Sequence, residues 1–349
     1  MLESLQAFAG QAYQDHRSLA ILAFYLTLCA SLALKTCLNI YRRYKLRTIQ
    51  PSWRGTHGPA FVLFLLLAAF SLATTWYYMF AFFRYSYQDW KAGHDLTRQA
   101  SIDLEPWLVK LELWLRDRKL FREAWESVSE TPAKFWWSGQ IFLWTIGWSL
   151  FLGFMGRRYN ISSVWVYMLL GQIVAISFAQ NLFFATVLAS GPASNRPRRP
   201  SWTPPAVLEF APVVISFLSA AVIPFVANTP YFMPVLAVPH LLLFIPGLLS
   251  PRVLPQSWGA YILRPLCRYA TVFKWLIAVA VAIQAQSTYI VMMDDPLLSG
   301  GSVVELGQKL LDTMFEHPAV SSVGWDVLCC SLSWSTWLFL HGGLEAMLG

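Results

Sequence analysis

Charge is what this sequence has least of. Only 13% of its 349 residues are Asp, Glu, Lys or Arg, about half the share of a soluble domain. With 56% hydrophobic residues, that excludes an ordinary cytosolic enzyme and a disordered chain. Cysteine is scarce too. Cys29, Cys37, Cys267, Cys329 and Cys330 lie in or beside apolar runs. They have neither zinc spacing nor a disulfide-rich context, and read as small apolar residues. The chain has no HExxH, no Walker loop and no glycine-rich dinucleotide turn. Asp294-Asp295-Pro296 lacks the third carboxylate of an aspartate-rich magnesium motif, which argues against metal-dependent diphosphate ionisation. A cleavable signal is also missing, because the run after Arg17 is too long and has no small-residue cleavage site.

What is present is apolar and aromatic. Mean hydropathy is +0.46, and there are 17 Trp, 14 Tyr and 24 Phe. Eight runs are long enough to span a bilayer, at 18–40, 59–83, 134–156, 162–189, 207–228, 231–250, 270–293 and 321–341. Backbone polar groups find no partners in hydrocarbon, so these runs must be helical. The expectation is an all-α polytopic membrane protein: one transmembrane domain over 1–349 with an extramembrane loop at 84–133. The net charge of +7 sits between the apolar runs, as headgroup anchors rather than a nucleic-acid surface. Basic residues divide too evenly between alternate loops to orient the chain.

Two segments break the pattern. Within the long loop, Leu104, Trp107, Leu108, Leu111, Trp114, Leu115, Phe121 and Trp125 recur at helical spacing. They predict an interfacial amphipathic helix near 104–127, either an anchor or a lid over a lipid-facing entrance. The sixth run carries Pro230, Pro234, Pro239 and Pro246. Irregular backbone at membrane depth is tolerated where it packs on protein or lines a cavity, so this run is a pocket wall or a kinked helix.

Ionisable groups within spans are costly and are the first functional candidates. Glu209 starts the fifth run and Asp326 the eighth, while Asp294 and Asp295 close the seventh. An acid in a helix's first turn is also favoured simply by the macrodipole. If every run crosses, the two acids enter from opposite sides by about 5 Å each and stand on the order of 20 Å apart. They cannot share one substrate atom. Gln172, Gln180, Asn181, His240, Gln284 and Gln286 are the other polar groups at depth. Amides there often only bond neighbouring helices, and His240 reads equally as a packing histidine.

Three phrases carry a resemblance: Gly171–Phe183 (GQIVAISFAQNLF), Val238–Pro246 (VPHLLLFIP) and His317–Asp326 (HPAVSSVGWD). Over roughly 165–340 the chain resembles the larger class of fungal integral-membrane terpene cyclases of ascofuranone-type meroterpenoid and indole-diterpene pathways. That resemblance implies a cofactor-free isomerase of secondary metabolism. A side-chain acid protonates a terminal epoxide on a prenyl chain, and an internal nucleophile or alkene captures the cation. It also implies a hydrophobic prenylated epoxide as substrate, an endoplasmic-reticulum membrane, and neighbouring pathway enzymes there. The expected span count differs from that of the small seven-span cyclases, so their paired acids are not carried over.

The residues accommodate such chemistry. Epoxide opening needs a placed proton donor, and a carboxyl in a dry site keeps its proton. Aromatic faces stabilise cations by about 0.5–2 kcal/mol each. Asp326 is the first choice of acid, because Trp325, Trp334 and Trp337 share its helix. Trp337 lies about three turns on and so on the same face, and Trp334 about 80° round it. Those three tryptophans with Gln180, Asn181 and His240 form the expected substrate-binding set. Glu209, after Pro204-Pro205, is the second choice of acid or a partner for the Arg196–Arg199 loop. A transporter or a non-enzymatic receptor or scaffold remains the alternative.

Overall fold

The computed structural model describes residues 16–47, 57–161, 163–190, 201–227, 229–251, 253–262, 265–295 and 302–343. It is helical but for one antiparallel ribbon, β1 (Ser201–Thr203) on β2 (Ala260–Ile262). The helices are α1 (Arg17–Arg47), α2 (Gly58–Ala92), α3 (Leu96–Leu104), α4 (Trp107–Asp117), α5 (Leu120–Ser127) and α6 (Pro132–Arg158). They continue with α7 (Val164–Ile173), α8 (Ile176–Ser190), α9 (Ala206–Val226), α10 (Phe232–Leu242) and α11 (Ile245–Leu248). The last are α12 (Pro265–Asp294), α13 (Val303–Glu316) and α14 (Pro318–Leu340). Local sequence sets several starts. Proline occupies the first turn of α2, α6 and α14, where its missing N–H costs nothing. Ser302 and Glu305 form a capping box on α13.

Among the described residues, six helices are long and apolar enough to cross a membrane: α1, α2, α6, α9, α12 and α14. The expected eight are not reached by that measure, and the fourth run shows why. It is two helices folded against each other. The Tyr167 and Thr186 hydroxyls are 2.6 Å apart across 19 residues, which a continuous helix would separate by about 28 Å. The Tyr167 ring also meets Phe183 at 5.1 Å. The arms of 10 and 15 residues reach only about 15 and 22 Å, short of a core of about 30 Å. The two arms pack closely at the turn, where a Cβ on Gly171 would lie 2.8 Å from Ile176 Cδ1. The carbonyl of Ile173, freed by the break, accepts from the Tyr25 hydroxyl at 2.6 Å. Tyr167→Phe should destabilise the protein by about 1 kcal/mol, measured by thermal unfolding in nanodiscs.

The sixth run is also divided, into α10 and α11, with Pro239 inside the first and Pro246 opening the second. Its loosened carbonyls are met by α6. Ser149 donates to Leu243 O at 2.6 Å, and Arg157 Nη1 donates to the carbonyls of Pro246 and Leu249 at 3.3 and 3.2 Å. The expectation of backbone broken against protein holds here.

The bundle has two ends. At one, His16 meets Glu112, Lys134 meets Glu316, and Asp295 meets Lys309. At the other lie the ribbon, the Arg43–Ser190 contact and the Arg157–Glu209 pair. Because α7 and α8 form a hairpin, α6 arrives at the ribbon end and α9 departs from it.

The long loop is shorter than expected, since α2 runs on to Ala92. The single helix expected near 104–127 is two, α4 and α5, parted at Arg118 and Lys119, and α3 precedes them, ending at Leu104 before Pro106. Trp114 is buried and donates to Ser86 Oγ at 3.2 Å, whereas Trp107 is 70% exposed. The amphipathic face is therefore split between the bundle and its surroundings.

Candidate functional site

Asp326 lies eight residues into α14, about 12 Å along the helix. That is deeper than its place in the apolar run suggested, because α14 starts at Pro318. Its carboxylate serves another helix. Oδ2 accepts the backbone N–H of Ile176 at 3.0 Å, and Oδ1 that of Ser177 at 2.8 Å. The acid thus caps the inner arm of the hairpin, where helix N–H groups have no intrahelical acceptor and the dipole favours an anion.

Asp326 also lines a cavity of about 140 Å³ with His240, Gln172, Thr145, Phe142 and Trp125. His240 Nδ1 lies 2.7 Å from Leu236 O, so that nitrogen carries the proton and Nε2 remains for other partners. Its ring meets Trp125 and Phe142 edge-on at 5.5 and 6.3 Å. The side-chain nitrogen of Gln172 is buried with no partner among the described residues. Trp125 brings α5 into the cavity wall, and Pro239 and Leu243 bring the broken sixth run. Both irregular segments of the sequence meet at one place.

The expected tryptophans do not gather there. Trp337 shares a face with Asp326 as predicted, but α8 fills that face. Its ring stacks on Phe184 at 4.3 Å and 8°, touches Phe64 at 5.6 Å, and is fully buried. Trp325 packs edge-on to Phe70 at 6.0 Å. Trp334 lines a second, larger cavity of about 440 Å³ with Trp144, Trp148, Phe273 and Gln180. The two cavities have no lining residue in common. Asn181 bonds Ser71 Oγ and Ser177 O at 3.3 and 2.9 Å and holds α8 to α2. Of the eight candidates, the structure places Asp326 with His240, and Gln180 with Trp334.

Glu209 is fully buried at the ribbon end and bound on both oxygens. Arg157 Nη2 donates to Oε1, and the Tyr269 hydroxyl lies 2.8 and 2.9 Å from Oε1 and Oε2. Arg157 Nη2 also lies 2.8 Å from that hydroxyl. Glu209 thus serves the guanidinium and the phenol, and it lines neither cavity. The suggested partners Arg196, Arg198 and Arg199 lie outside the described residues. Arg157 and Tyr269 were missed because each reads as a headgroup anchor at the end of an apolar run. Among the described residues, no three His, Cys, Asp or Glu side chains come together as an ion site. No known family, curated protein or solved structure matches the chain.

Proposed function

We propose that this integral membrane protein is a cyclase for an epoxidised prenyl chain, with Asp326 as the acid. The observation that carries the reading is that Asp326 is buried, lies within a helix long and apolar enough to cross a membrane, and lines a cavity. Glu209 is committed to Arg157. A cavity near 140 Å³ is close to one that admits benzene, room for a terminal isoprene unit with its oxirane.

In the reaction, the Asp326 carboxyl gives its proton to the oxirane oxygen and the C–O bond at the more substituted carbon breaks. The electron pair of a neighbouring alkene or phenol oxygen closes the ring. The proton then lost from the cyclised cation returns to the carboxylate, so atoms and charge balance. The amides of Ile176 and Ser177 stabilise the carboxylate made in the first step, and this interaction grows as the proton leaves. No cofactor takes part. Fungal meroterpenoid or indole-diterpene biosynthesis in the endoplasmic reticulum is the setting that the three resembling phrases suggest.

Incubating membranes that carry the chain with an epoxidised prenyl phenol tests this. A product of unchanged mass and new retention time is expected, and recovery of the epoxide alone would refute it. Exhaustive chelation should leave the rate unchanged. Loss of activity restored by magnesium would place the chemistry on a metal instead.

One observation favours a transporter. A helix N-terminus at membrane depth in a broken span is a common transporter device, and α7–α8 is such a break. Transport would return the compound chemically unchanged across a sealed vesicle, which the same mass and retention analysis distinguishes.

A further inference from the structure

The larger cavity has its own chemistry. Its walls come from α6, α8, α9, α12 and α14, and its volume of about 440 Å³ falls among small-molecule pockets. Indole and phenyl rings and aliphatic side chains share the lining, and three glutamines interrupt it: Gln140, Gln180 and Gln284. Each donates one amide N–H to a backbone carbonyl. Gln140 and Gln284 donate to Trp136 O at 3.0 and 3.4 Å, and Gln180 donates to Cys330 O at 3.2 Å. Those carbonyl partners fix which end of each amide is nitrogen. What each has left is a second N–H and its carbonyl oxygen, an acceptor that no donor among the described residues meets.

Gln180 is the decisive one, because it is only 1% exposed and lines the cavity. In hydrocarbon no water supplies the missing proton, and an unmet buried acceptor is costly. The cavity also has a wall on the lipid side. Ile277 and Val281 of α12 line it and are 48% and 62% exposed, so a ligand can enter sideways from the bilayer.

We propose that this cavity binds a neutral apolar alcohol, whose hydroxyl donates to Gln180 Oε1 while its skeleton lies against Trp144, Trp148 and Trp334. A charged ligand does not fit, because the lining holds no ionised side chain; the Trp148 Nε1–H, buried in the lining without a partner among the described residues, is a donor that the same hydroxyl oxygen can meet. The shared chemistry is a hydroxyl on a hydrocarbon skeleton. It has two sources, a membrane sterol or a linear isoprenoid alcohol. The site stands apart from the acid chemistry proposed at Asp326.

Gly147 provides the test, since a Cβ there would meet nothing within 4 Å and so point into open cavity. The purified full chain in nanodiscs is photolabelled with a diazirine analogue of farnesol, and labelled peptides are mapped by mass spectrometry. Label is expected on the α6 and α12 residues of the lining. Farnesol should compete about tenfold better than its methyl ether, which lacks the donor. Gly147→Leu should remove most of the label by filling the space. Gln180→Leu should keep the label but erase the preference for alcohol over ether. A sterol and farnesol compared as competitors identify the source, and competition by neither overturns the proposal. Label elsewhere, label indifferent to Gly147→Leu, or equal competition by alcohol and ether would overturn it as well. Because labelling is read without turnover, failure of the cyclase assay leaves this result standing.

Discussion

Arg157→Ala is expected to destabilise the bundle by about 3–5 kcal/mol, the cost of removing one partner from a buried ion pair. Four acceptors depend on this side chain: Glu209, the Tyr269 hydroxyl, and the carbonyls of Pro246 and Leu249. They come from α9, α12, α11 and the turn after it, so one guanidinium ties the ribbon end of the bundle together. Without it, Glu209 is left as a buried charge with only the Tyr269 hydroxyl. The double variant Arg157→Met, Glu209→Leu should recover much of the loss, because the stranded charge is gone. Glu209→Gln alone should be nearly as damaging as Arg157→Ala. Thermal unfolding in nanodiscs checks all three. If the double variant is as unstable as the sum of the singles, the two residues act separately and the pair is not the tie described.

How much of this was legible in the sequence depends on the range of the interaction. Helical class and membrane character follow from composition and from runs of apolar residues, which are local properties. The hairpin of α7 and α8 was not legible. A crossing helix and a returning pair of arms present the same unbroken apolar run, and only contacts such as Tyr167 with Thr186 distinguish them. The prolines of the sixth run did announce irregular backbone beside a cavity, because proline's missing N–H acts locally. The loop helix was half legible: its apolar face exists, but the Arg118–Lys119 break divides it.

The site shows the same division. That Asp326 stands apart from Glu209 was expected from eight crossings, a premise that the α7–α8 hairpin removes; the separation rests instead on α9 and α14 starting at opposite ends of the bundle. That Asp326 caps a different helix was not readable, since Ile176 and Ser177 lie 150 and 149 residues away in sequence. The angular argument for Trp337 was correct about the face and wrong about the space, because helical periodicity says nothing of which neighbour fills that face. The partner that Glu209 does have was not foreseen, for a similar reason. Its guanidinium comes from 52 residues upstream, at the end of a span where arginine reads as an anchor.

The acid at Asp326 is the centre of the functional account, and Asp326→Asn tests it. The substitution keeps one oxygen to accept one of the two amides and removes the proton. It leaves the other amide unmet at a cost of about 1–3 kcal/mol, so rates must be referred to folded protein, counted by monodisperse elution from size exclusion. The one measurement is the initial rate at which folded Asp326→Asn converts an epoxidised prenyl phenol into its cyclic isomer, set beside the unaltered chain. Loss of a general acid predicts a fall of about 10²–10⁴-fold. A folded Asp326→Asn protein that forms the isomer at the rate of the unaltered chain would contradict the account, and would leave Asp326 as the cap of α8 alone.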